Sequence, residues 1–197
     1  MSQRIVLLDS GGANLGSVLA AFKRLGLQAS ITDSRQQILR ASHIILPGVG
    51  TAQNAMNRLK QNRLIDLIPK LTQPLLGICI GMQLLFESSA EGDCQCLGLL
   101  KGKVDKLIPT TKTCIPHMGW NQLEVNRPHD LVNGLDNAWM YFVHSYAVAA
   151  SDKQVASTEH GYHFSAVVSD QNICGVQFHP ERSSVAGTRL LNNFLSL

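Results

Sequence analysis

Residues 74–83 read P-L-L-G-I-C-I-G-M-Q, which sets Cys79 between apolar neighbours with Gly77 two positions before it and Gly81 two after. This is the cysteine counterpart of the G-x-S-x-G turn, where a strand folds sharply into a helix and presents a nucleophile at the bend. Glycine at both flanks removes side chains that would collide as strand and helix close on each other. A sulfur at a helix N-terminus is favoured as the thiolate, the form that attacks carbonyl carbon. The alternative is a buried cysteine packing in a core, a common place for a lone Cys in an apolar run. A nucleophile needs a base, and of the seven histidines His179 stands out in Q-F-H-P-E at 177–181. In an extended chain residues i and i+2 share a side, so Glu181 can orient His179 across Pro180 and stabilise its protonated form. The alternative there is a surface His beside a solvated Glu at a strand end.

The remaining polar residues carry weaker signals. Cys94 and Cys96 lack a second Cys or His pair at metal-ligand spacing, so a zinc site is not expected and the segment reads as a loop. Cys114 and Cys174 read as structural. His43, His129, His160 and His163 have no sequence partner, whereas His117 in H-M-G-W-N and His144 in F-V-H-S-Y either line a cleft or pack beside one. P-G-V-G at 47–50 is either a plain loop or a turn aiming backbone N–H groups into a site.

Positioning these groups requires a sheet with helices around it. Apolar runs at 5–9, 27–32, 44–46 and 75–79 alternate with helical spacing at 15–25, 52–60 and 81–87, predicting a parallel strand set covered on both faces. Gly26 follows the first helix where a C-terminus calls for it. Beyond about residue 97 shorter, Gly-punctuated strands are expected at 102–107, 140–149, 155–158, 165–168 and 173–178, with a closing helix at 185–195. The fold class is therefore α/β, a mostly parallel sheet with mixed and antiparallel strands in the C-terminal half, in one domain spanning 1–197.

Composition agrees with that frame. The 197 residues are 45% hydrophobic and 16% charged, enough apolar surface for a real core, and the net charge of +3 comes without any basic tract. Nucleic-acid binding and membrane spanning are not indicated. Five irregularly spaced cysteines argue against a disulfide framework and for a reducing, cytoplasmic setting.

The motifs around Cys79, at 47–50 and at 177–181 together resemble the class I, triad-type glutamine amidotransferases, in order and spacing over essentially the whole chain. D-S-G-G-A-N-L-G-S-V (9–18), G-M-Q-L-L-F-E-S-S (81–89), H-M-G-W-N (117–121), Y-F-V-H-S-Y (141–146) and F-H-P-E-R-S (178–183) are most similar to one branch. In that branch the glutaminase joins a (β/α)₈-barrel cyclase as imidazole glycerol phosphate synthase in histidine biosynthesis.

The resemblance implies a flavodoxin-like fold, no cofactor, no metal, and a heterodimer that channels ammonia and is switched on by the cyclase's nucleotide substrate. It implies that Cys79 attacks the glutamine carboxamide, His179 shuttles the proton and Glu181 orients His179. An oxyanion hole would form from the amides of Ile80 and Val49, within Gly48 to Gly50. Gln83, Glu91, Ser145 and Tyr146 match substrate-holding positions. Asn14, Met118, Trp120, Tyr141 and Arg182 match the face that meets the cyclase. Two departures concern that face rather than the triad: Ala13 stands where the family usually has Gly, and Thr51-Ala52 where it usually has a bulky aromatic. Rival readings are a glutaminase for another acceptor (pyridoxal phosphate, anthranilate or aminodeoxychorismate synthase, or a paralogous pathway), a related cysteine hydrolase, and a scaffold without turnover.

Overall fold

The computed structural model describes residues 3–10, 15–48, 50–111 and 113–197. The first half builds β1 (Ile5–Leu8), α1 (Leu15–Arg24), β2 (Ala29–Thr32), α2 (Arg35–Leu39), β3 (His43–Leu46), α3 (Ala52–Gln61), β4 (Leu75–Ile78) and α4 (Ile80–Gln83). Short strands β5 (Ser88–Ser89), β6 (Cys94–Gln95) and β7 (Lys103–Lys106) follow, then β8 (His117–Gln122), β9 (Glu124–Val125), β10 (Trp139–His144) and β11 (Tyr146–Val148). The chain ends with β12 (Gln154–Glu159), β13 (His163–Asp170), β14 (Ile173–Val176) and α5 (Ser184–Phe194).

Eight strands form the main sheet in the order β2-β1-β3-β4-β14-β13-β12-β9. β2, β1, β3, β4 and β14 run parallel, and β13, β12 and β9 continue antiparallel. Every residue of β1, β3 and β4 is buried, as strands covered on both faces must be, which accounts for sequences that are apolar throughout except for His43 at the start of β3. Parallel β4 and β14 sit side by side in the middle, with Ile78 opposite Val176. The chain therefore leaves both strands at the same edge of the sheet, which delivers Cys79 and His179 to one place although a hundred residues separate them.

Four sequence expectations need correction. The helix expected at 81–87 stops at Gln83, because the carbonyls of Leu84, Leu85 and Phe86 accept from the amides of Leu97, Leu99 and Gly98 at 2.8–2.9 Å instead of from their own next turn. The strand expected at 140–149 breaks at Ser145: β10 pairs with β8, while β11 pairs with β7 in a separate sheet of order β11-β7-β5-β6. Cys94 lies on β6 rather than in a loop, and Cys114 is exposed rather than structural. Among the described residues no helix is long and apolar enough to cross a membrane.

Candidate active site

Cys79 occupies the bend between β4 and α4 with φ 54° and ψ −111°, a region that side-chain-bearing residues seldom enter and that costs about 1–3 kcal/mol. Hydrogen bonds hold it there: its amide donates to the Val176 carbonyl at 2.8 Å, and its carbonyl accepts from the Gln83 amide at 3.1 Å. The flanking glycines are steric necessities. A Cβ on Gly77 would lie 2.7 Å from the Gly81 carbonyl oxygen, and one on Gly81 would overlap the Leu46 carbonyl oxygen. Gly48 belongs to the same packing, since a Cβ there would meet the Gly81 nitrogen at 2.5 Å and the Ile80 Cβ at 2.6 Å. Ser10 Oγ donates to the Pro47 carbonyl at 2.6 Å, which ties the 47–50 turn to the end of β1.

From β14 the chain continues to His179, whose Nδ1 lies 2.8 Å from Glu181 Oε1 with both side chains buried. The pair meets by a route different from the extended dipeptide expected: Pro180–Arg182 is a 3-10 turn, and it is this turn that swings the carboxylate back under the imidazole. Proline suits its first position, where an N–H would find no partner in the turn. The imidazole also hydrogen-bonds to the Cys79 sulfur. Burial by itself lowers the His179 pKa, but the hydrogen bonds to Cys79 and Glu181 and the charges of both groups outweigh it and raise it to about 10. The ring is therefore an imidazolium at neutral pH, with its proton available to a leaving group.

These groups line a cavity of about 490 Å³ that opens to solvent and is walled by Gly50, Gln83, Glu91, Ser145, Tyr146 and Arg182 as well as by Cys79, Ile80 and His179. The four residues read as substrate-holding thus share one cavity with Cys79 and His179. Gln83 is fully buried, and its Nε2 is already committed to the Tyr146 carbonyl at 2.9 Å and to Gln177 Oε1 at 3.0 Å. Among the described residues its buried Oε1 has no hydrogen-bond partner. Glu91 accepts from the Ala52 amide at 2.8 Å, so it caps α3 while facing the cavity. Thr51, where the family's aromatic was expected, caps the same helix by accepting from the Asn54 amide at 3.3 Å. The Ile80 amide opens α4 and so has no acceptor within that helix. Val49 and Asn14, and Ala13 beside it, lie outside the described residues.

Met118 and Trp120 are exposed on one face of the β8–β10 ribbon, at 63% and 49%. Tyr141 stands opposite Trp120 in register, its ring edge-on to the indole at 5.8 Å, and the Arg182 guanidinium lies 5.3 Å from the centre of the Tyr141 ring. Arg182 of this apolar and cationic stack also lines the cavity.

Sequence reasoning quoted Gln177 without assigning it a part. Its Nε2 lies 3.8 Å from Cys79 Sγ, and its place two residues before His179 on the same strand exit was the available signal. His117 and His144, left open between cleft and packing, are both buried, and His144 lines the cavity.

Comparison with known proteins agrees with this geometry. The model of the glutamine amidotransferase class-I family matches residues 6–197. Imidazole glycerol phosphate synthase subunit HisH 2 of Legionella pneumophila (strain Lens) is 50% identical over 194 residues, covering 98% of each chain. The HisH subunit of Xanthomonas campestris pv. campestris (strain 8004) is 50% identical over 98% of this chain and 97% of its own. The HisH subunit of Vibrio cholerae serotype O1 is 47% identical over the whole of both. Among solved structures, a putative GMP synthase component from Thermoplasma acidophilum superposes with a TM-score of 0.75 at 18% identity, covering 100% of this chain and 94% of that one. PurLQS from Thermotoga maritima gives 0.75 at 19% identity over 100% and 99%, and at such identities both speak for the fold alone. A cysteine at a strained strand-to-helix bend, a buried His–Glu pair at the next strand's exit and a family match from residue 6 to the last residue lead to one conclusion: the chain belongs to the class I glutamine amidotransferases.

Proposed function

We propose that this chain is the glutaminase subunit of an imidazole glycerol phosphate synthase, hydrolysing glutamine and passing the ammonia to a (β/α)₈-barrel cyclase. The observation that carries the reading is the 47–50% identity, over nearly the whole of both chains, to proteins named as that enzyme's HisH subunit. The cavity supports the chemistry. Cys79 Sγ attacks the carboxamide carbon, and the tetrahedral oxyanion is held by the Ile80 amide and a donor from the 47–50 turn. Losing one such donor typically costs about 10²–10³ in rate. His179 gives its proton to the departing nitrogen, so ammonia leaves and a γ-glutamyl thioester remains. The ring, now neutral, takes a proton from water as the water attacks the thioester, and glutamate departs with the sulfur restored. Glu181 holds the ring in the tautomer that turns Nε2 toward the sulfur. Met118, Trp120, Tyr141 and Arg182 form the docking face for the cyclase beside the cavity mouth.

Glutamate release by the purified chain, alone and mixed with the cyclase and its nucleotide substrate, tests this. Strong activation only in the full mixture is expected. Steady turnover by the chain alone points to an independent hydrolase, and activation by a different synthase reassigns the ammonia acceptor. Cys79→Ala separates attack from assembly: glutamine-dependent synthesis is lost while synthesis fed with ammonium salt survives.

A further inference from the structure

Next to Ser145 and Tyr146 in the cavity wall stands His144, paired with the buried His117 behind it, and the mechanism above uses neither. His117 and His144 face each other across β8 and β10, with His117 Nδ1 2.9 Å from His144 Nε2. His144 Nδ1 lies 2.8 Å from the Tyr146 carbonyl oxygen, which can only accept, so that nitrogen carries the hydrogen. Burial, with His160 and His179 nearby, lowers the His144 pKa to about 4 against the bond to Tyr146, so the ring is neutral and its Nε2 accepts. The hydrogen between the rings then belongs to His117 Nδ1. Burial, next to His144 and His160, lowers the His117 pKa to about 3, leaving its Nε2 as an acceptor for the Asn121 amide at 3.3 Å. Asn121 cannot be flipped, because its Oδ1 accepts from the Gln122 amide and its Nδ2 also donates to the Glu159 carbonyl.

Every donor in this chain points the same way, from Asn121 through His117 and His144 to the Tyr146 carbonyl. That carbonyl receives a second hydrogen from Gln83 Nε2, which also bonds Gln177, and Gln177 reaches the Cys79 sulfur. The rings have no freedom to answer a change by turning: His117 is stacked on His160 at 4.0 Å and on Phe142 at 4.7 Å, and His144 sits edge-on to Phe164 at 5.1 Å.

We propose that His144, backed by His117, is a positioning residue for glutamine, fixing the Ser145–Tyr146 wall and the Gln83 amide through a one-way relay of hydrogen bonds. The proposal rests on the glutaminase reading of the same cavity. The pair bonds the Tyr146 carbonyl directly and reaches the sulfur through Gln83 and Gln177, so its loss acts on how glutamine is held before it acts on the chemical step.

The test measures KM and kcat for glutamine in the assembled complex for His144→Phe and His144→Asn, with ammonium-fed synthesis as the control for folding and docking. Removing the His144 Nδ1–H that bonds the Tyr146 carbonyl raises KM about tenfold or more in His144→Phe with a smaller change in kcat. His144→Asn keeps an N–H near the position of Nδ1 and recovers most of the loss. A KM within about twofold of wild type in His144→Phe, or a loss carried by kcat alone, overturns the proposal. A wild-type complex that releases no glutamate defeats the glutaminase reading instead. The relay is then judged by ¹⁵N NMR of the wild-type chain between about pH 6 and about pH 8, where both rings must be neutral Nδ1–H tautomers. An imidazolium or an Nε2–H tautomer at either residue overturns it, and the same spectra decide the matter if His144→Phe fails to fold.

Discussion

Gly81→Ala adds a single methyl group, and the structure says where it goes. The new carbon would overlap the Leu46 carbonyl oxygen, lie 2.8 Å from the Leu46 carbonyl carbon and 3.3 Å from that of Pro47. Neither side can yield cheaply. Leu46 ends β3 and is paired in register with Gly77 of β4, and Gly81 belongs to the turn that holds Cys79 in its positive-φ conformation. Carbon atoms rest about 3.5–4.0 Å apart, so the two backbones must separate by roughly 1 Å. Overpacking of that kind costs about 1–3 kcal/mol of stability. A displacement of that size at a nucleophile costs on the order of 10²-fold in rate. The expected result is a folded chain of lower melting temperature whose complex makes product normally from ammonium salt but about a hundredfold more slowly from glutamine. Gly16→Ala is the matched control: nothing lies within 4 Å of its would-be Cβ in α1, and helix propensity predicts a gain of at most about 1 kcal/mol. Glutamine-dependent turnover within about threefold of wild type at an unchanged melting temperature would refute the claim that this backbone approach places the sulfur.

Other perturbations follow from the charges. Glu181→Gln removes one of the groups that raise the His179 pKa to about 10, so the alkaline limb of kcat/KM moves to lower pH; an unmoved limb contradicts the assigned proton donor. His117 and His144 have folded pKa values of about 3 and about 4, below the unfolded value of 6.5, so the unfolded chain binds more protons as pH falls. Stability is thus fully present above about pH 6.5 and declines from there down to about pH 3, with His43 and His129, also lowered by burial, adding to the slope. Urea unfolding across that window should show a shallower decline in a His117→Phe, His144→Phe double variant, and an equal slope contradicts burial of neutral rings. Burial raises the Cys94 pKa and pushes Cys96 to about 12 and Cys174 to about 11, whereas Cys114 is exposed and Cys79 lines the cavity. Iodoacetamide near pH 7.5 should therefore modify Cys79 and Cys114 first, as read by peptide mass spectrometry; early labelling of Cys174 would contradict the packing.

The parts of the site written in local backbone constraint were legible in the sequence. Gly77 and Gly81 are there because neighbouring backbone forbids a Cβ, and that requirement is visible in the residue types alone. The parallel strands were legible because burial on both faces demands continuous apolar runs. What escaped reading depends on partners distant in sequence. Strand β8 alternates as a strand should, yet with inverted polarity: His117 is buried while Met118 and Trp120 are exposed. The histidine opposite it on β10 and the Asn121 amide make burial of His117 tolerable, and no local pattern announces the pairing across the strands. The five-residue α2 buries Ile38 alone and so presents no periodicity to detect. The run after Gln83 is apolar because it is buried, and apolar content without solvent-facing positions does not distinguish helix from turn.

The inverted polarity of β8 also gives one ribbon an exposed apolar face and an inward face that borders the cavity of Cys79 and His179. Antiparallel partners opposite each other share a face, so Trp120 with Tyr141, and Met118 with Val143, point outward, while His117 with His144 points into the core. The same backbone serves both. The Tyr141 carbonyl accepts from the His179 amide at 2.9 Å. The Tyr141 amide donates to Ser183 Oγ at 3.0 Å, and that hydroxyl donates to the His179 carbonyl at 2.7 Å. His179 is therefore bound at both its peptide groups to the strand that carries the outward aromatic stack. Three residues further on, that strand's His144 holds the Tyr146 wall. On the docking proposed above, pressure on Trp120 and Tyr141 would reach His179 and the Tyr146 carbonyl through hydrogen bonds already in place, without an intervening loop to absorb the movement.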